Sequence, residues 1–273
     1  MANGNPLGAY LKNRRTKLDP ASFGLSGGRR RTPGLRREEV AQRANISATW
    51  YTWLEQGRGG QPSAQVLDRI AGALTLTEVE REHLFLLGLG RPPPLQYRAA
   101  DTITPRLQRL LDVLSHSPAI VRTATWDIVA WNRAAAAVLT DYSVLAPKQR
   151  NVLRLMFGHG RVRAAQPNWE AVARFVVASF RIDAARAGAD AEIEHLVAEL
   201  SDASPEFAAM WNDNNVQTHG NGVKQLHHPQ VGAMTLEYSS FAVDGRPDLT
   251  LLVYNPATAA DRERVETLLQ SGG

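Results

Sequence analysis

The stretch Gly24-Leu25-Ser26-Gly27-Gly28 carries the Gly-x-Ser-x-Gly spacing of a nucleophilic serine elbow. Such a serine works on a sharp turn between a strand and a helix, where its hydroxyl stands clear of the backbone. Here Asp19-Pro20 precedes the stretch and RRRTPG follows it, so Ser26 falls in a loop and is not expected to be a nucleophile. The pair His227-His228 has ligand-type side chains, but the seven histidines show no His-Glu-x-x-His spacing and no cysteine exists to complete a tetrahedral site. Strand alternation would turn one ring inward and the other outward. GHGRVR (158–163) lacks the Gly-Lys-Ser/Thr ending of a phosphate-binding loop. These residues predict no catalytic constellation, no metal and no cofactor.

Charge and helical spacing point elsewhere. Residues 1–60 carry eleven basic and four acidic side chains, net +7, whereas residues 61–273 carry net −3. A basic head on a mildly acidic body suits binding to a polyanion. Within that head, residues 46–56 turned through 100° per residue separate into two arcs. Ile46, Trp50, Tyr51 and Leu54 share one, with Trp53 at its edge; Ala48, Thr49, Thr52 and Gln56 share the other. The aromatic arc is an anchor. The small polar arc suits the major groove of DNA, where Gln pairs with adenine and methyl groups touch thymine. The preceding helix would lie across the backbone with Arg36 and Arg37 toward phosphates. The DNA-facing set is therefore Arg36, Arg37, Ser47, Ala48, Thr49, Thr52, Trp53, Gln56 and Arg58.

The elements that must position these residues have clear punctuation. LGAYLKNRRTKL (7–18) is amphipathic, GGRRRTPG (27–34) is a loop, and LRREEVAQRA (35–44) has helical apolar spacing. Asn45 tolerates the left-handed conformation of a tight turn, and Ser47 is a good N-cap. SAQVLDRIAGAL (63–74) opens on an N-cap serine, and Thr77 with Glu80 forms a capping box for a fifth helix ending near Leu89. GRPPPLQYRAADTITP reads as a Pro-rich spacer over residues 91–105, between an all-helical domain (1–90) and an α+β domain (106–273). In the latter, AIVRTATWDIVAWN (119–132) predicts a hairpin turning near Trp126-Asp127, with the short helix RAAAAVL after it. WEAVARFVVASFRI (169–182) is apolar almost all round and predicts a buried helix. VKQLHH, GAMTLEYSSF and LTLLVY predict three strands, and ATAADRERVETLL a final helix. No 18-residue apolar run and no signal-type N-terminus occur, which predicts a cytoplasmic protein that does not span a membrane.

GLRREEVAQRANISATWYTWLEQGRGGQPSAQVLDRIAGAL resembles the Xre/Cro-type helix-turn-helix domain, which is lambda-repressor-like. RRRTPGLRREEVA and LEQGR are similar to the branch found in MmyB-like transcriptional regulators. PAIVRTATWDIVAWNRAAAAV, RNVLRLMF, SPEFAAMWND and HHPQVGAMTLEY resemble that family's C-terminal PAS-like ligand-binding domain, so the likeness runs over residues 7–255. The chain departs from the common pattern at Asn45, where members often have Gly, at Trp53, where Arg is common, and at Asn214-Asn215-Val216, where a His is frequent. The resemblance implies a homodimeric transcription regulator that binds double-stranded DNA and senses a small apolar or amphiphilic ligand, fatty-acid-like or antibiotic-like. It implies a cavity for which Trp126, Trp131, Phe157, Phe180, Trp211, Tyr238 and Phe241 are the candidate lining residues. Arg150, Asn151 and Arg181 are the candidate polar contacts, because an arginine beside an apolar cavity can hold a carboxylate bidentately. Two other readings stand beside this one: a helix-turn-helix scaffold or antitoxin-like interaction module, and a metal-dependent enzyme gathered around His227 and His228.

Overall fold

The computed structural model describes residues 5–25, 33–93, 103–187, 189–216 and 221–271, and the chain divides into two compact units, Met1–Pro93 and Pro94–Gly273. Ser26, most of the 27–34 loop, and residues 94–102 of the Pro-rich spacer lie outside the described residues.

The first unit is built from α1 (Pro6–Lys17), α2 (Arg37–Arg43), α3 (Ala48–Gln56), α4 (Ala64–Ala73) and α5 (Glu78–Leu89). Its helix starts follow from capping chemistry. Ser47 Oγ accepts from Trp50 N, Ser63 Oγ from Val66 N, and Thr77 and Glu80 cap each other's backbone. Between α2 and α3, Asn45 sits at φ +52°, so a short polar side chain carries the left-handed turn. Leu11, Leu35, Val40, Tyr51, Leu67, Ile70, Leu84 and Phe85 are wholly enclosed in one core. Each such aliphatic or aromatic side chain is worth about 1.5–3 kcal/mol on burial, which is what holds helices this short.

The second unit opens with α6 (Pro105–Val113), the hairpin β1 (Ala119–Thr123) and β2 (Ile128–Trp131), and α7 (Arg133–Val138). Five helices follow: α8 (Val152–Gly158), α9 (Gly160–Ala164), α10 (Trp169–Ala187), α11 (Asp190–Ala203) and α12 (Pro205–Asn212). Strands β3 (Asn221–His228), β4 (Gly232–Val243) and β5 (Arg246–Pro256) and helix α13 (Ala259–Ser271) complete it. The strands form one antiparallel sheet in the order β2-β1-β5-β4-β3, with Val121 opposite Leu251, Tyr238 opposite Tyr254, and Lys224 opposite Leu236. This is the α+β class the sequence predicts. Buried Asn132 ties its start together: Oδ1 accepts from Ala119 N and Ala135 N, while Nδ2 donates to the carbonyls of Leu111, Leu114 and Ser117.

One expectation needs correction. Helix α10 is not enclosed all round: Ala171 and Arg174 are exposed, and Ala173, Val177 and Phe180 face the helical core. Val172, Phe175 and Val176 are half-buried on a further side. The excess of apolar residues on this helix lines a cavity.

Candidate functional site

In the first unit, the two arcs of α3 separate as their periodicity requires. Tyr51 and Leu54 are buried and Ile46 and Trp50 pack at the edge of the core, while Ser47, Ala48, Thr49 and Gln56 are exposed and Thr52 is half-buried. Thr52 Oγ1 donates to Ala48 O at 2.8 Å, so its hydroxyl is engaged within the helix. Trp53 stands beside this arc with about half of its large ring in solvent, 47% exposed. Arg36 and Arg58 are exposed.

Arg37, expected to face phosphates, is half-buried and also tied inward. Its Nε donates to Glu55 Oε2 at 2.7 Å, and Glu55 also takes Arg15 Nε at 2.6 Å and Arg15 Nη2 at 3.1 Å. The Glu55 carboxylate is almost fully enclosed, 1% exposed, so this triad locks α1, α2 and α3 together. Burial alone would raise the pKa of Glu55, but the hydrogen bonds and charges of Arg15 and Arg37 outweigh it and hold it below the ordinary carboxylate value. Asn5 seals the end of α3, donating to Leu54 O and Glu55 O. Gly57 terminates the helix at φ +70°, where a Cβ would approach Asn5 Nδ2 to 2.8 Å. The Leu-Glu-Gln-Gly stretch is thus a core residue, an ion-pair anchor, a surface residue and a left-handed stop.

The second unit holds a cavity of 530 Å³ between the sheet and α10. Val172, Phe175 and Val176 of α10, Trp126, Tyr238, Tyr254 and Leu252 form its apolar walls, and Arg122 and Lys224 are its cations. Trp126 occupies the hairpin turn at φ +64°, a conformation rare for a bulky residue. Three contacts hold it there: Arg122 stacks 4.0 Å over its ring, Phe180 meets it edge-on at 5.5 Å, and its Nε1 donates to Asp183 Oδ2 at 2.9 Å. Arg122, 2% exposed, also pairs with Asp183 at 2.9 Å, and burial pulls its pKa down against that partner. Tyr238 crosses Gly222, whose missing Cβ would lie 2.6 Å from the Tyr238 hydroxyl.

A second cavity of 270 Å³ lies on the α8–α9 side and contains Asp141, Tyr142, His159, Arg161 and His228. Its wall shares Ile120, Val152, Gln166, Lys224 and Tyr254 with the larger one.

Of the expected ligand contacts, Trp126 and Tyr238 line the larger cavity; the others do not line either cavity. Asn151 is buried and fully engaged, capping α8 with Oδ1 and donating to Thr125 O and Asp127 Oδ1. Arg150 donates to Leu145 O and lies over Trp131, which packs on Tyr142. Phe157, Phe180 and Trp211 belong to an aromatic cluster with Phe207 among the helices. Arg181 covers Trp211 and is held by Asn214 Oδ1 and Asn215 O. Phe241 is exposed on β4. Sequence reasoning missed Arg122, Lys224 and Phe175. Their only signals were a charged residue inside the apolar strand AIVRT, another at the start of VKQLHH, and the surplus apolarity of α10. Among the described residues no three His, Asp or Glu gather as metal ligands, and no helix is long and apolar enough to cross a membrane.

A helix-turn-helix unit joined to a sheet-and-helix unit with an open, mainly apolar cavity is the arrangement of a ligand-responsive transcription regulator, and the family comparisons support that class directly. The family model for the MmyB-like transcription regulator ligand binding domain matches residues 103–268, and that for a helix-turn-helix domain matches residues 6–84. The chain belongs to the MmyB-like family of regulators. Comparison with curated proteins gave no match.

Proposed function

We propose that the protein is a cytoplasmic, homodimeric regulator of the Xre type that reads a palindromic operator with α3 and responds to a fatty-acid-like amphiphile. The observation that carries the ligand reading is the 530 Å³ cavity, within the size range of small-molecule sites and walled by Trp126, Val172, Phe175, Val176 and Tyr238. For the DNA reading, support comes from the exposed arc of Ser47, Ala48, Thr49 and Gln56, with half-buried Thr52 within it and Trp53 beside it in reach of thymine methyl groups or sugar. Arg36 and Arg58 supply sequence-independent phosphate contacts, and Arg37 serves mainly to hold α3. Val79 and Leu86, 75% and 45% exposed and seven residues apart on α5, supply an apolar stripe for a second copy. Two heads on a two-fold axis double the base contacts of one short helix.

The ligand acts by binding two arrangements of the dimer with different affinity. The decisive experiment is mass spectrometry of molecules extracted from the purified protein, paired with selection of binding sites from random duplex DNA. A co-purified amphiphile, and a selected palindrome that Thr49→Ala relaxes at particular base pairs, are the expected results. A protein that carries nothing, shows no thermal shift with long-chain acids or alcohols, and selects no sequence would refute the proposal.

A further inference from the structure

The two cavities of the second unit adjoin, and among the residues that line both, Gln166 and Lys224 are polar partners. Gln166, nearly buried, has its amide placed to accept from Lys224 Nζ at 3.0 Å and to donate to Gln225 O at 3.3 Å. Lys224 comes from the edge strand β3 and belongs to both walls. Among the described residues it forms no salt bridge, so a neutral amide is its neighbour where a carboxylate would be favoured. Burial lowers the ammonium pKa from 10.5 to about 8.

The other cation of the larger cavity is already engaged, because Arg122 pairs with Asp183 and stacks on Trp126. The smaller cavity is different. Arg161 of α9 is exposed to it and makes no salt bridge among the described residues. His159 Nδ1 is buried there without a hydrogen-bond partner. His228 is occupied through Gln230 N and the Ala137 backbone. The one acid, Asp141, spends Oδ1 on the backbone N and hydroxyl of Ser143. Both chambers are lined mainly by apolar side chains, and the smaller one adds Arg161 to the Lys224 that lies on both walls. The smaller chamber, 270 Å³, is roomier than a lone carboxylate needs.

We infer that the two chambers form one site for an acylated organic acid: the hydrocarbon chain fills the larger chamber, and an anionic head bulkier than a bare carboxylate passes Gln166 to meet Lys224 and Arg161. This rests on the reading of the larger cavity as an amphiphile site. It assigns the acid to β3 and α9, and not to Arg150 or Arg181, which lie outside both chambers.

The test uses the full chain and three probes of equal chain length, 1-dodecanol, dodecanoate and N-dodecanoylglycine, titrated by calorimetry. Dodecanoate is expected to bind about tenfold tighter than dodecanol, since a hydrogen bond to a charged group supplies that factor, with N-dodecanoylglycine tighter again. Lys224→Met, which keeps the stem and removes the charge, should bring dodecanoate to the affinity of dodecanol and leave dodecanol unchanged. Lys224→Arg should retain the preference, and Arg161→Gln should weaken N-dodecanoylglycine alone. Equal binding of alcohol and acids, or an acid preference that survives Lys224→Met, overturns the head-group assignment while leaving the apolar cavity as a ligand site. Binding of none of the three probes removes the amphiphile reading itself, and this inference with it.

Discussion

Replacing Glu55 with alanine removes the carboxylate on which two arginines converge behind the proposed DNA-reading helix. Three charge-assisted hydrogen bonds disappear, and at about 1.5–3 kcal/mol each their gross sum would approach the stability of a whole domain. The geometry divides that sum unequally. Arg37 is 39% exposed and can turn to water, so its share falls within the ~0–1 kcal/mol of surface pairs. Arg15 is 7% exposed and, among the described residues, keeps its bond to Leu35 O but has no second carboxylate, so its guanidinium is left buried without a counter-ion, a loss of about 3–5 kcal/mol. The expected destabilisation of the first unit is therefore about 3–5 kcal/mol, set by Arg15. Hydrogen exchange with mass spectrometry on the full chain reads it as faster opening of α1 and α3, with the amides of the second unit unchanged. Arg37→Gln should cost no more than about 1 kcal/mol. Arg15→Met combined with Glu55→Leu should recover most of the loss, because a matched apolar pair replaces a buried ion pair at little cost. A loss below about 1 kcal/mol for Glu55→Ala would refute the anchoring role. The pH dependence has a definite sign. With its folded pKa below the unfolded value, Glu55 contributes stability that is fully present above the unfolded value, near 4.3, and is lost as pH falls through the lower folded one.

Gly57→Ala forces a Cβ into a left-handed residue and against Asn5; a cost of about 1–2 kcal/mol is expected, visible as faster exchange at the end of α3 and weaker operator binding in gel-shift titration. Ala171→Trp places an indole at an exposed position on the larger cavity's wall, and should abolish the thermal shift given by long-chain ligands while leaving the melting temperature of the free protein nearly unchanged. Asn151→Ala should do the reverse, lowering stability by about 2–4 kcal/mol through four lost hydrogen bonds and leaving ligand affinity of the folded protein intact.

The local signals in the sequence were sufficient for the first unit because each of its decisions is made within a few residues. Ser47, Ser63 and Thr77 cap helices through backbone N–H groups three positions on, and Asn45 turns the chain by its own φ. The 100° spacing that separates Tyr51 and Leu54 from Thr49 and Gln56 needs no knowledge of the rest of the fold. The Arg15–Glu55–Arg37 triad was illegible for the opposite reason, since it joins residues 40 and 18 positions apart that look like ordinary surface charges.

The ligand cavity shows the same limit more sharply. Aromatic residue type predicts burial, but it does not say whether a buried ring meets other rings or empty space. Phe157, Phe180 and Trp211 satisfy one another across three helices, while Trp126 is turned onto a cavity by a strained hairpin residue and Tyr238 by the absence of a Cβ at Gly222. What marks a cavity is an apolar excess that the core does not consume. On α10, Ala173, Val177 and Phe180 are buried in the core, whereas Val172 and Val176 pack at its margin and, with Phe175, also line the cavity. Exposing three such side chains to water costs several kcal/mol at about 25 cal/mol per Å². A helix that is apolar on more faces than its neighbours cover is therefore a physical sign of a ligand site, and the α10 face shares its cavity with Lys224, which forms no salt bridge among the described residues.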